Sequence, residues 1–285
     1  IELDADNTIA IEGVLTLNLN GKNITGLTDQ TGYNRNMFGV KKNGNLPVIG
    51  DGTITIEHKG ENMGWNNSTN VFNVTDGGIL NIENATIKNL GGSDMAFVAH
   101  LNNWGEVTLN VNNSTLESTY IAVRVFNSGN DNNNVNIKNS TLNGKYCFWV
   151  HNYTLADFGN DQNKVNAHKE LLKFDIFNGG ESDNKNTFTY SNSYAPILYG
   201  FTNPIYLDEY GDMYSYVGNA DELVEALENG YHVVFTDDIK IDPANMSNAY
   251  GTTGINVKNG QTIDGGKFTL DIQGAGGTWD SGINT

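Results

Sequence analysis

Cysteine, proline and arginine are scarce in this chain of 285 residues, and long hydrophobic runs are missing. The one cysteine, Cys147, excludes an intrachain disulfide, and the apolar run of residues 146–150 around it predicts a buried, inert thiol. No apolar stretch reaches the ~18–20 residues that span a bilayer as a helix. With only two arginines, Arg35 and Arg124, and a net charge of −17, the chain is expected to bind neither nucleic acid nor anionic membranes.

Asparagine, glycine and short alternating apolar runs are what the chain does contain. It has 45 Asn and 33 Gly against 38% hydrophobic residues. Apolar residues recur at every second position, as in residues 15–19 and 54–56, and this alternation indicates strands with one buried face. Asn and Gly both tolerate a positive φ, so their abundance is typical of many tight turns between strands.

One pattern of an alternating strand, a turn asparagine and a threonine occurs three times in succession. The copies are residues 79–87, 108–116 and 134–142, and their turn residues are Asn84, Asn113 and Asn139. A further strand precedes each copy, so a unit of ~25–30 residues holds two or three strands and no helix. Such a unit buries its apolar face only against its neighbours, which predicts a stacked solenoid with Ile82, Val111 and Ile137 on one interior line.

These copies, together with the opening stretch of residues 15–26, resemble the pectate-lyase-like parallel β-helix repeat proteins of gut-bacterial surfaces, which include adhesin-type proteins. The resemblance covers residues 1 to about 155 well and residues 156–215 weakly. It implies an all-β fold, a right-handed, single-stranded parallel β-helix. It also implies a secreted or cell-surface bacterial protein, an outer-membrane lipoprotein being one form.

Residues 219–229 are predicted to form one short capping helix. Asn219 suits the N-cap, Asp221 and Glu222 suit the positive end of the helix dipole, and Gly230 suits the position that follows the last turn.

The stretches after this helix repeat the pattern of the opening coils, at residues 233–241 and 260–270. We therefore expect a first β-helix domain over residues 1–215. Residues 216–285 then hold the capping helix and the opening coils of a second β-helix, or they form a cap on the first.

The resemblance also implies two enzyme classes, polysaccharide lyases and glycoside hydrolases. Lyases on this fold use a basic residue to remove the proton next to a uronate carboxylate, usually with Ca²⁺ held by acidic side chains. The best match is His100, Arg124 and His151, which fall on equivalent strands of three successive coils. If Asn102 is aligned with Asn127, alternation places Arg124 and His151 on one face of the sheet and His100 on the other.

Three acidic residues form a second candidate site at one corner of the stack. Asp76, Glu106 and Asp131 each lie seven or eight residues before a turn asparagine. Carboxylate oxygens gathered in this way suit Ca²⁺, and a pair of carboxylates suits glycoside hydrolysis. The alternative is that all three are simply solvated.

Aromatic side chains in polar stretches form a third candidate site. Trp65, Trp104 and Tyr120 are candidates for sugar binding, because aromatic rings stack on the C–H faces of sugars. They could equally cover the ends of the apolar core. Trp149 lies within the apolar run next to Cys147 and is predicted to be buried.

No complete catalytic set accompanies the repeat, so the leading hypothesis is an adhesin-like binding protein that contacts carbohydrate or a cell-surface protein through the solenoid side. The alternatives are a polysaccharide lyase or glycoside hydrolase, and a structural spacer in a larger surface protein. Open strand edges predict end-to-end or homo-oligomeric association. No cofactor other than Ca²⁺ is expected.

Overall fold

The computed structural model divides the chain into two compact units, Ile1–Asn203 with Glu209–Gly211 and Pro204–Asp208 with Asp212–Thr285. The residues that it describes are 1–5, 7–28, 35–58, 69–91, 95–103, 106–127, 133–150, 163, 186–191, 196–199, 205–207, 212–241, 255–272 and 283–284.

Short strands that return to the same three sheets build the first unit. In chain order they are β1 (Glu2–Asp4), β2 (Ile9–Ile11), β3 (Leu17–Asn18), β4 (Asn23–Thr28), β5 (Arg35–Val40), β6 (Asn45–Ile49), β7 (Thr53–His58), β8 (Thr69–Val74), β9 (Ile79–Glu83), β10 (Thr86–Asn89), β11 (Ala96–Asn103), β12 (Val107–Asn112), β13 (Thr115–Ser118), β14 (Ile121–Asn127), β15 (Asn133–Lys138), β16 (Thr141–Gly144), β17 (Tyr146–Val150), β18 (Thr187–Tyr190) and β19 (Ile197–Tyr199).

Sheet A contains β1, β4, β7, β10, β13, β16 and β18, and sheet B contains β2, β5, β8, β11, β14, β17 and β19. Sheet C contains β3, β6, β9, β12 and β15. Each strand from β1 to β14 is hydrogen-bonded in parallel to the strand three places later, so one coil passes through sheets A, B and C in turn. This topology confirms the predicted all-β parallel β-helix.

Rows of apolar side chains fill the interior of the solenoid. On sheet C, Ile82 pairs with Val111, and Val111 pairs with Ile137. All three side chains are at most 2% exposed. Because hydrogen-bonded strands lie ~4.8 Å apart, side chains at paired positions stack directly and exclude water from the row. The predicted interior line is therefore confirmed, and with it the alignment of the three repeat copies.

The turn from sheet C to sheet A explains the asparagine of the repeat. Asn84, Asn113 and Asn139 have φ values of 56°, 47° and 51°, in the left-handed region that Asn tolerates better than most side chains. The Asn113 amide nitrogen donates to the Asn84 amide oxygen over 2.6 Å, so neighbouring turns are also joined to each other.

Two substitutions of Asn113, the central turn residue, separate the effect of backbone strain from the effect of losing this amide contact, because both remove the contact and only one introduces strain. We expect Asn113→Val to lower the free energy of unfolding by about 1–2 kcal/mol, because a β-branched residue is strained at positive φ. Asn113→Gly should stay close to the parent chain. Asn112→Val, on the exposed last residue of β12, is the matched control, since valine suits a strand. Equal losses for Asn113→Val and Asn112→Val in urea titrations would contradict the turn assignment.

The second unit begins with β20 (Ile205–Leu207), β21 (Met213–Val217) and helix α1 (Ala220–Glu228). As predicted, the Asn219 side chain caps α1 by accepting a hydrogen bond from the Glu222 backbone N–H over 3.0 Å. Gly230 follows the helix with a φ of 82°, also as predicted. Within the residues described, no helix is both long enough and apolar enough to cross a membrane.

Each of the first three strands after α1 pairs with the strand three places later in the chain. They are β22 (His232–Phe235), β23 (Ile239–Ile241), β24 (Ile255–Asn256), β25 (Ile263–Asp264), β26 (Leu270–Ile272) and β27 (Ile283–Asn284). β22 pairs with β25, β23 with β26 and β24 with β27, all in parallel. β20 and β21 are antiparallel to each other. Solenoid-like pairing thus recurs inside the second unit.

Candidate functional site

The outer side of sheet B carries a column of polar and aromatic side chains. Asn73, His100, Arg124 and Trp149 occupy paired positions on four neighbouring strands. The residues before and after them in each strand, such as Val123 and Val125, are fully buried in interior rows. The four column residues therefore share the opposite side of the sheet.

This arrangement corrects the prediction that His100 and Arg124 lie on opposite faces. Asn127 pairs with Asn103 rather than with Asn102, so the assumed register was wrong by one residue. His100 consequently lies directly beside Arg124 on the adjacent strand. The third predicted member, His151, is outside the described residues.

His100 is almost completely enclosed, with 5% of its surface exposed. Its ring centroid lies 5.5 Å from that of Phe97. Burial, with a further contribution from the Arg124 charge, lowers the pKa of His100 from 6.5 to about 3. The imidazole is therefore neutral near pH 7, and so weak a base is poorly matched to proton abstraction at that pH.

Arg124 is held by aromatic rings. Its guanidinium carbon lies 4.5 Å from the ring centroid of Trp149 and 5.1 Å from those of Phe97 and Phe126. Burial lowers the pKa of Arg124 to about 10, and nearby Tyr120 opposes this shift. The side chain stays protonated at neutral pH, so it is a cation stabilised by π faces rather than a ready base.

Buried polar atoms without partners are concentrated in the same column. Asn73 Oδ1, His100 Nε2 and Arg124 Nε are buried and make no hydrogen bond to any residue that the structure describes, and neither does Asn70 Oδ1 on β8. Buried polar atoms are nearly always hydrogen-bonded, so a cluster of exceptions indicates a place where water, an ion or a ligand completes the set.

The acidic corner holds two of its three predicted members in the described part of the chain. Asp76 and Glu106 are both exposed and lie just before β9 and β12, which are neighbouring strands. Glu106 Oε1 accepts a hydrogen bond from Asn134 over 3.1 Å. Asp131 is outside the described residues. Among those described, no three His, Cys, Asp or Glu side chains come together as a metal site, and Ca²⁺ remains a prediction.

Of the three aromatic candidates, only Tyr120 lies within the described residues; Trp65 and Trp104 lie outside them. Tyr120 packs edge-on against Phe97 and Tyr146, with centroids 6.3 Å and 6.1 Å away. Lys145 Nζ lies 5.5 Å from the centroid of the Tyr120 ring. Tyr120 is thus part of an aromatic cluster beside Arg124, and this packing limits the ring surface that a sugar could reach. Trp149 is buried, as predicted.

Cys147 is a buried thiol, as predicted, and burial raises its pKa from 9 to about 12. Its Sγ donates to the Leu142 carbonyl oxygen over 3.2 Å. We expect the thiolate fraction to be roughly a thousandfold lower than that of an ordinary thiol, so Ellman's reagent at pH 8 should leave the native protein unlabelled. The same protein in urea should react with one equivalent. Rapid labelling without denaturant would show that this strand is accessible.

Sequence reasoning missed a row of amides on the outer face of sheet C. Asn81, Asn110 and Asn136 occupy paired positions on β9, β12 and β15. Each is linked to its neighbour by a side-chain hydrogen bond, 2.8 Å from Asn110 to Asn81 and 3.0 Å from Asn136 to Asn110. The signal was visible in the sequence, because each repeat copy places an Asn between the two apolar residues of its strand.

A threonine row, which includes the threonine of each repeat copy, lies on the outer face of sheet A. Its members pair on successive coils and are Thr53, Thr86, Thr115, Thr141 and Thr187. The row beside it is mixed, because Lys88 and Glu117 form an ion pair of 2.8 Å there. Sheet A therefore presents one regular line of hydroxyl and methyl groups.

Comparison of the chain with protein-family models, with curated proteins and with solved structures finds no match. Its function has to be argued from its own residues.

Proposed function

We propose that this chain is a secreted or cell-surface binding protein that contacts carbohydrate or a surface partner through one side of the solenoid. The outer faces of sheets A and C support the proposal. Rows of hydroxyl and amide groups lie there at paired positions on successive coils, in an order fixed by the strand pairing. Preorganised polar groups bind a ligand without the entropic cost of ordering them first.

One observation carries the proposal: a shallow groove of about 270 Å³ lies on sheet C and is lined chiefly by amide and charged side chains. Small-molecule sites commonly have volumes of ~300–1,000 Å³, so this groove suits a short stretch of a polar ligand that extends beyond it. Hydroxyl-rich ligands such as sugars match amides, which both donate and accept hydrogen bonds.

The electrostatics of the sheet B column support binding over proton transfer. A neutral His100 with a pKa of about 3 and an Arg124 that remains protonated are both poorly suited to take up a proton at neutral pH.

A glycan array, combined with affinity electrophoresis in immobilised polysaccharides, tests the proposal. We expect the folded protein to bind at least one glycan class or one purified surface partner, and the heat-unfolded protein to bind none. Binding of the folded chain to no glycan and no surface partner would overturn the proposal in favour of a structural spacer.

A polysaccharide lyase is the second candidate, because His100 and Arg124, two of the three residues predicted for it, lie side by side on adjacent strands. Incubation with uronans in the presence of Ca²⁺ should then produce unsaturated products that absorb in the ultraviolet. The activity should disappear in Arg124→Gln while the fold is retained. A flat absorbance trace with the parent chain removes this candidate.

A further inference from the structure

The groove on sheet C is lined by side chains and backbone of three neighbouring strands, and we name it the amide groove. Its lining residues are Asn81, Ile82, Glu83, Asn110, Val111, Asn112, Asn136 and Lys138. The buried Ile82 and Val111 belong to the interior row, so their strands form the floor. The amides stand on one side of this floor, and Glu83, Asn112 and Lys138 form a parallel row on the other.

The amides are linked in one direction. Asn136 donates to Asn110, Asn110 donates to Asn81, and Asn81 donates to Asn45 over 3.0 Å. A side-chain amide has two N–H donors and two acceptor lone pairs. Within the row, Asn81 and Asn110 each use one N–H donor and one acceptor lone pair. Each of these two residues therefore keeps one donor and one acceptor for a ligand.

The spacing of the row selects the type of polymer. Neighbouring rungs lie ~4.8 Å apart, whereas an extended peptide advances ~3.4 Å per residue and repeats its side-chain direction only every second residue. An extended β-linked hexose chain advances by about one rung per sugar, so each unit lies beside one amide, with alternate units turned over. Along each strand the chemistry of the outward side chains changes, for example from Ile79 to Asn81 to Glu83 on β9. A polymer of identical units therefore matches the solenoid axis better than the strand direction.

The charge of the groove selects an uncharged chain. Among the described residues, Glu83 and Lys138 are the charged groups that line the groove, and their charges cancel. The protein as a whole has a net charge of −17, which repels polyanions over long distances. Acidic glycans and single-stranded nucleic acids are therefore disfavoured.

We propose that the amide groove binds a neutral, extended β-linked glycan that lies along the solenoid axis with one sugar per amide rung. This inference rests on the proposed binding function and names the site, the orientation and the ligand class. The common direction of the amide row also favours one polarity of the bound chain.

Calorimetric titration with cello-oligosaccharides of increasing length tests the orientation. The affinity should rise with each added glucose and reach a plateau near three units, because Asn81, Asn110 and Asn136 provide three rungs. Asn45 lies opposite Ile79 and therefore outside this row. Oligomannuronates of equal length, which are β-1,4-linked and acidic, should bind at least tenfold more weakly. An affinity that is independent of oligomer length would overturn the axial arrangement.

Variants of the groove test its location. Asn112→Trp would fill the groove from an exposed position outside the amide row, and Asn110→Ala would interrupt the row at its centre. Each should weaken binding by about tenfold or more, which corresponds to the loss of one or two hydrogen bonds. Lys41→Ala, at an exposed position outside the amide groove and outside the polar rows of sheets A and C, is the control and should bind like the parent.

The outcomes separate the two proposals. Glycan binding that survives both Asn112→Trp and Asn110→Ala would refute the amide groove and leave the binding function in place. If the parent chain binds no glycan of any class and no surface partner, the binding function itself fails. Melting curves identify a variant that has merely unfolded, and Asn112→Trp still decides the question if Asn110→Ala proves unstable.

Discussion

Val111→Asp is expected to unfold the solenoid, whereas Asn112→Asp, one residue further along β12, should leave it folded. Val111 lies in the interior row between Ile82 and Ile137, and its side chain is 2% exposed. A carboxylate there would have no partner and no water, at a cost of more than about 4 kcal/mol. Asn112 faces outward and is exposed, so the same new charge should change stability by less than about 0.5 kcal/mol.

Circular dichroism in the β-sheet region and urea unfolding midpoints measure this difference. Each coil is stabilised mainly by its neighbours, so a break in the middle of the stack affects the coils on both sides. The expected result for Val111→Asp is loss of the native spectrum at neutral pH, with partial recovery in acid once the carboxyl group is protonated. Similar midpoints for the two variants would mean that the inward and outward assignments on β12 are wrong.

The segment from sheet C through the turn to sheet A could be predicted from the sequence because its length is constant. In each copy the turn asparagine stands two residues after the interior row, so Asn84, Asn113 and Asn139 align without ambiguity. Their need for a positive φ and the strict alternation before them point to the same register. In this segment the turn geometry and the burial of the strand require the same register, so the interior line could be predicted from the sequence.

The register of sheet B could not be predicted in this way, because the connection that leads into it varies. The residues between the strands of sheets A and B number six from Asn89 to Ala96, two from Ser118 to Ile121 and one from Gly144 to Tyr146. Counting residues from the turn asparagine therefore does not give the register of the next strand in sheet B.

The burial pattern within sheet B adds to this difficulty. Phe97, Val98 and Ala99 are all fully buried, so alternation gives no indication of which residues face inward. The pairing of His100 with Arg124 emerged only once the strands were aligned in space.

The pH dependence of stability should report directly on His100. Its pKa is about 3 in the folded protein and close to 6.5 in the unfolded chain, so between these values the unfolded chain binds a proton that the native protein does not. Stability is then fully present above about pH 6.5 and falls as the pH drops toward 3, by about 1.4 kcal/mol per pH unit. Between pH 6 and pH 4 this amounts to about 2–3 kcal/mol.

His100→Gln isolates this contribution, because the carboxylates that also titrate in acid are common to both proteins. The difference in unfolding free energy between parent and variant should be constant above pH 7 and should shift in favour of the variant as the pH is lowered. Urea titrations at a series of pH values measure it. Parallel curves throughout the acid range would show that His100 is protonated in the native protein. The imidazolium would then lie beside Arg124, and two adjacent cations would require an anion in the column that the described residues do not supply.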